Sequence, residues 1–195
     1  MTGEEEAEPM VHMGMVLSVA FSQDGSQVVS GLTVDCTVQI WNATSGEEED
    51  VLEGHMDEVY SVMFSKDGSQ VVSGSCDNTV CIWNTMTGEV EAELKGHSDM
   101  VLSVKFAPDG SQVVFGEADK TIQIWSIITD EVEGELKGHT ELETSVAFTQ
   151  DGHHVVSGSF DKTVQIWNAM TGDVEAKLIG HSDSVSSVAF FQDGS

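Results

Sequence analysis

Arginine is absent from the 195 residues, and seven lysines stand against 34 acidic side chains, leaving a formal net charge of −27. Phosphate backbones and anionic lipid are held by clustered Lys and Arg, so the sequence predicts neither a nucleic-acid nor a membrane partner. Cysteine is almost as scarce. Cys36, Cys76 and Cys81 form an odd set without the short Cys spacing of a zinc knuckle. That argues against a disulfide framework or metal centre and fits a reducing, intracellular, cytoplasmic setting. No apolar run approaches the length of a membrane span, and "MTGEEEAEPM" at the N-terminus lacks the basic start and apolar stretch of a secretory signal. A phosphate-cradling Gly-Lys-Ser loop and a metalloprotease His-Glu-x-x-His helix are missing too, so no cofactor is implied.

What the chain does have is repetition. Trp41, Trp83, Trp125 and Trp167 are spaced 42 residues apart, as are the Gly-His pairs ending at His55, His97, His139 and His181. Such a period marks tandem structural units. The Asp-Gly pairs keep the same step except at the first, where "SGLTVDCTVQIW" carries one more residue than "SGSCDNTVCIW", around Leu32 to Val34.

Each copy divides into short β-prone runs separated by turn signals. In the second copy these are 59–64, 70–73, 79–83 and 89–94. Asp67-Gly68 supplies the left-handed backbone of a tight hairpin, pairing the first two runs. With helical spacing absent, the fold class is all-β. In "EVEAELKGH" Glu89, Glu91 and Glu93 fall on one side and Val90, Ala92 and Leu94 on the other. The fourth run therefore reads as an edge strand guarded by carboxylates against strand addition, cation binding by the same groups being the alternative.

Gly-His, then "DGSQVVSGS", then "DNTVCIW" at this spacing resembles the WD-repeat β-propeller family over nearly the whole chain. The family's usual Trp-Asp ending stands here as Trp-Asn at 41, 83 and 167 and as Trp-Ser at 125. The resemblance implies four-stranded antiparallel blades: four full blades plus a surplus strand, in a partial or open propeller.

It also implies a structural hydrogen-bond network of His, Ser or Thr, Asp and Trp in each blade. In the second copy these are His55, Ser73, Asp77 and Trp83; in the fourth, His139, Ser157, Asp161 and Trp167. The first has Ser30, Asp35 and Trp41, with His12 preceded by Val11 instead of Gly. The third keeps His97, Asp119 and Trp125 but carries Phe115 in place of the hydroxyl, so it is predicted to be the least regular blade. Ser, His and Asp together invite a catalytic triad, but a set repeated in several copies and tied to a core Trp reads as structural. Catalytic, cofactor-binding and metal residues are all expected to be absent. The His153-His154 pair reads as a solvent-facing strand position, a metal ion being the alternative.

Aligning "MTGEEEAEPMVHMGMVLSVAF" with the segment from Met86 puts Met1 inside a repeat. Residues 1–10 then form a degenerate, frayed acidic outer strand, with Glu5 for Val and Pro9 for Leu. Residues 11–195 form the array: blades at about 11–52, 53–94, 95–136 and 137–178, and a partial fifth at 179–195 whose inner strand runs from Val185 to Phe190. Since propellers of the resembled family close with seven or eight blades, three arrangements stay open: a crescent within a larger assembly, a fragment of a longer array, or a homodimer completing one ring.

Members of that family bind proteins through side chains crowning one face of the ring. By resemblance these positions are Met15, Leu17 and Val34; Glu58, Tyr60 and Cys76; Met100, Leu102 and Ala118; and Leu142, Thr144 and Phe160. Most are apolar, which suits an adaptable protein-binding patch, and the acidic remainder favours a partner with basic segments. The resulting expectation is a non-enzymatic protein-interaction scaffold. The alternatives are a piece of the recognition array of a larger multidomain receptor, and an enzyme, for which no unique polar constellation is found.

Overall fold

Alternating apolar residues and Gly-bearing turns build sheet after sheet along the chain. The computed structural model describes residues 14–95 and 97–190. The first sheet is β1 (Val16–Phe21), β2 (Gln27–Leu32), β3 (Val38–Asn42) and β4 (Glu48–Leu52); the second is β5 (Val59–Phe64), β6 (Gln70–Ser75), β7 (Val80–Asn84) and β8 (Val90–Leu94). The third contains β9 (Val101–Phe106), β10 (Gln112–Glu117), β11 (Thr121–Ser126) and β12 (Glu131–Lys137), and the fourth β13 (Glu143–Phe148), β14 (His154–Ser159), β15 (Thr163–Asn168) and β16 (Val174–Ile179). Every neighbouring pair is antiparallel and consecutive in sequence. These are four tandem propeller-like blades in an all-β chain, and they do not close into a ring.

The first hairpin of each blade is fixed by its Asp-Gly pair. Gly68 adopts φ 74°, which an L side chain resists. Asp67 Oδ1 gathers the hydroxyls of Ser65 and Ser69 and the Ser69 amide. Those donors stabilise the charged form and hold the Asp67 carboxyl down at about 2.

Cores form between sheets. One unites Val29, Val38, Ile40 and Leu52 of the first blade with Val59, Val62, Phe64 and Trp83 of the second. The same union recurs between second and third blades and between third and fourth. Each fully buried side chain of this size contributes about 1.5–3 kcal/mol, so the seams carry most of the apolar stabilisation. Glycine permits their closeness: a Cβ on Gly74 would lie 2.7 Å from methyls of both Val101 and Val104.

A polar ladder crosses the same seams. The Val62, Val104 and Val146 amides donate to the hydroxyls of Ser18, Ser61 and Ser103 on the preceding inner strand, each at 3.1 Å. The series continues past the last sheet, where the Val188 amide donates to Ser145 Oγ at 3.2 Å. Val185, Val188 and Phe190 pack on the fourth sheet, and Gly158 lies against the two valines. This segment thus occupies the place of a next inner strand. Contrary to the sequence reading, 185–190 forms no strand: β-structure needs a ladder partner, and none of the described residues pairs with it. The acidic outer strand expected at 1–10 lies outside the described residues.

Candidate functional site

The second and fourth blades bring their four network residues together. Trp83 Nε1 donates to Ser73 Oγ at 2.7 Å, His55 Nε2 sits 2.7 Å from the same hydroxyl, and His55 Nδ1 lies 2.9 Å from Asp77 Oδ2. A carboxylate only accepts, so Nδ1 carries the proton and Nε2 accepts from Ser73. Asp77 also receives the Met56 amide and the Thr79 hydroxyl. These donors overcome the cost of burial and depress the Asp77 carboxyl well below its usual range. The fourth blade repeats the order through Trp167, Ser157, His139 and Asp161 at 2.8, 2.7 and 2.9 Å. There burial draws the His139 pKa below its ordinary value, against the pull of Asp161.

The first blade is only partly wired. Trp41 Nε1 donates to Ser30 Oγ at 2.9 Å, whereas Asp35 is exposed. His12 lies outside the described residues. In the third blade Phe115 fills the hydroxyl's place and meets His97 edge-on, with ring centroids 4.5 Å apart. His97 Nδ1 pairs at 3.0 Å with Glu117, and Asp119 instead takes the hydroxyls of Ser98 and Thr121. His97 Nε2, Trp125 Nε1 and Glu117 Oε2 are buried without a partner. The irregularity foreseen for this blade is confined to its polar core, since β9–β12 form as complete a sheet as the others.

At one rim of the array the chain places the twelve crown positions. Each pairing of a blade's first two strands carries a bulge near its start, and the residues skipped by the registers are Leu17, Tyr60, Leu102 and Thr144. A bulge re-aims the side chain it frees. Beside them, backbone bonds run from Cys76 to Glu58, Ala118 to Met100 and Phe160 to Leu142, and from Thr33, next to Val34, to Met15. Met15, Leu17, Val34, Met100 and Phe160 are exposed, Met15 most at 68%. Glu58, Tyr60, Cys76, Leu102, Ala118, Leu142 and Thr144 are half-buried. Cys76 Sγ touches Met100 Sδ at 3.2 Å across a seam. Thr144 faces inward, its hydroxyl bonded to the carbonyls of Gly158 and Val185.

The model of the WD domain, G-beta repeat (WD40), matches residues 8–42, 46–84, 88–126 and 131–168. The chain belongs to the WD40-repeat family. A search of curated proteins returns no match.

Two parts of these WD40 blades were not singled out from sequence. Glu117 replaces the serine found as Ser75 and Ser159, and that substitution was its only written signal. The outer-strand glutamates are not merely a solvated edge: Glu91 accepts from the amides of Asn84 and Gln70, as Glu49 does from Asn42 and Gln27. Asparagine after the Trp can donate this bond, whereas aspartate would oppose two carboxylates. His154 takes the glutamine's part, with Nε2 3.0 Å from Glu175, and His153 is exposed. Among the described residues no cluster of His, Cys, Asp or Glu could hold a metal ion, and no helix is long and apolar enough to cross a membrane.

Proposed function

We propose that this chain, like WD40 domains generally, is a protein-interaction scaffold: a non-enzymatic docking module whose partner seats on the rim formed by Met15, Val34, Met100 and Phe160 and the bulge residues beside them. The observation that carries this reading is the four-fold recurrence of a bulge near one rim, in three blades beside an exposed large apolar side chain. Aromatic and Met side chains massed on one face suit hot spots of protein recognition. An acid precedes the rim in successive blades as Asp57, Asp99 and Glu141, which favours a partner with basic segments. The structural role of the Ser-His-Asp sets agrees with their burial: Ser73 and Ser157 are 0% exposed and each already accepts a Trp N–H.

The test pairs Met100→Glu with Phe160→Glu in affinity capture and then measures binding of the captured protein. Loss of about 2 kcal/mol or more, roughly thirtyfold in Kd, is expected for a rim hot spot. Unchanged binding would move the docking surface elsewhere.

A homodimer is the second reading, favoured by the outward face of β1, where Val19 and Phe21 are 64% and 68% exposed. Light scattering over a range of concentrations checks it, a concentration-independent monomer counting against it.

A further inference from the structure

Lysine is rare in this chain, and most of it is occupied. Lys95, Lys120, Lys137 and Lys177 approach Glu93, Glu141, Glu135 and Asp161, and Lys162 donates to the Ser182 carbonyl. The side chains of the remaining two of the seven, Lys66 and Lys105, make neither an ion pair nor a hydrogen bond among the described residues. Both line one cavity.

That cavity, of about 600 Å³, lies at the ends of the inner strands opposite the crown rim. Phe64, Phe106 and Phe148, which close successive inner strands, form part of its wall together with Met63 and Pro108, and no Asp or Glu among the described residues lines it. In a protein carrying 34 acidic residues, a cavity with two ammonium groups and no carboxylate is the exception to the surface around it. Lys105 is also an exception within the repeat. The equivalent positions on the other inner strands are Ala20, Met63 and Ala147, small or apolar side chains. Burial disfavours its charge and lowers its pKa, so a partly desolvated cation stands here without a counter-ion among the described residues. Lys66 is less committed, because it also borders a smaller neighbouring cavity lined by Asp24 and Asp67.

We propose that this cavity binds a small monocarboxylic acid with an apolar body, its carboxylate against Lys105 and Lys66 and its body against the three phenylalanines. The volume falls within the range of small-ligand pockets. An anion meeting a desolvated ammonium gains a charge-assisted hydrogen bond and relieves the unpaired charge. A single negative charge fits better than several. Lysine meets phosphate only as a point charge, without the bidentate fork of the arginine this chain lacks, and the net charge of −27 penalises each further negative charge on the ligand.

The test is calorimetric titration of the full chain with octanoate, alongside octan-1-ol, octylammonium and inorganic phosphate. Octanoate should saturate one site, octan-1-ol should bind roughly tenfold or more weakly, and octylammonium and phosphate should not compete. Lys105→Met installs the residue already present at Met63, and Lys66→Gln the residue at Gln23 and Gln150, so both variants suit the fold. An unchanged thermal melt confirms it. Lys105→Met should weaken octanoate roughly tenfold or more and Lys66→Gln by less, while Met100→Glu with Phe160→Glu on the far rim should leave it unaltered. The proposal is overturned by absence of saturable octanoate binding, by equal affinity for octan-1-ol, by tighter binding of phosphate, or by octanoate binding that Lys105→Met leaves intact. The last would mean the acid merely coats exposed apolar faces.

Discussion

The second and third blades arise from one 42-residue unit, yet their polar cores are wired differently. In the second, a proton-ordered chain runs from Trp83 through Ser73 and His55 to Asp77, with every buried group of the set paired. In the third, Phe115 interrupts it, His97 turns to Glu117, and three buried polar atoms of the set are left alone. Both sheets nonetheless keep four strands, and Val104, Val113 and Phe115 are fully buried in the seam between the two blades. Backbone pairing and apolar seams therefore suffice to form a blade, and the polar network adjusts how much stability that blade retains.

Forcing the third blade's arrangement on the second gives the largest expected effect. Ser73→Phe would remove the hydroxyl that both His55 Nε2 and Trp83 Nε1 use, stranding them as His97 Nε2 and Trp125 Nε1 are stranded beside Phe115, and would overfill the site. Orphaned buried groups cost about 1–3 kcal/mol each and overpacking a similar amount, so a loss of about 5 kcal/mol is expected in urea unfolding. A loss below about 1 kcal/mol would mean that the network contributes little even where it is complete.

The second effect concerns the seam between the third and fourth blades. Glu143 stands in the register of Val59, Val101 and Val185. It is 1% exposed, with Oε2 unpartnered. Burial, followed by the negative charges of Asp119, Asp161 and Glu117, raises its pKa from 4.5 to about 8. A raised folded-state pKa means that the native protein holds a proton the unfolded chain releases. This contribution is complete below pH 4.5 and is lost as pH climbs to about 8, a change on the order of 5 kcal/mol. The depressed carboxyls of Asp77 and Asp161 act oppositely, their contribution being lost as pH falls below the ordinary Asp value. Glu143→Val should flatten the alkaline limb of stability against pH and leave the acid limb in place. If the alkaline slope persists in that variant, another group causes it.

A smaller effect sharpens the comparison from the other side. Phe115→Ser alone opens a cavity, and Glu117→Ser alone takes away the one hydrogen-bond partner that the described residues give the His97 ring. Together they restore the residues of the second blade. The double variant should therefore lose less than the two single losses added, with a coupling of about 1–2 kcal/mol. Strict additivity would show that the two substitutions do not compensate one another.

Much of this was legible because the repeat writes it many times. Asp-Gly turns and period-two alternation placed the strands of the second blade to within two residues, and the resemblance to WD repeats pointed to His55, Ser73, Asp77 and Trp83 together. Glu117 was not legible in that way. A Ser→Glu change beside a turn reads as a solvated charge, and only the approach of β10 to His97 makes it a buried partner. Lys105 was hidden for a similar reason, since a lone lysine on an alternating strand looks solvent-facing until the four inner strands and the segment ending at Phe190 converge around its cavity. The twelve rim positions came from resemblance; the bulges that present four of them depend on pairing register, which no single strand encodes.

The smallest expected effect tests whether the segment after the fourth sheet obeys the same rules as the seams before it. The Val188 amide bonds Ser145 Oγ as the Val104 amide bonds Ser61 Oγ, but Val104 is also locked into β9 by pairing with Phe115, whereas Val188 lies in no strand. Ser145→Ala and Ser61→Ala each remove one hydrogen bond, worth about 1 kcal/mol. In hydrogen exchange the two should part company. With no sheet to hold it, the Val188 amide should exchange about fivefold faster once Ser145 is gone, the rate equivalent of that energy. The Val104 amide should change little relative to its neighbours, because opening there requires the second and third blades to separate. Equal acceleration at both sites would mean that the ladder, not the sheet, limits opening throughout the array. No acceleration at Val188 would mean that the packing of Val185, Val188 and Phe190 on the fourth blade holds the segment by itself.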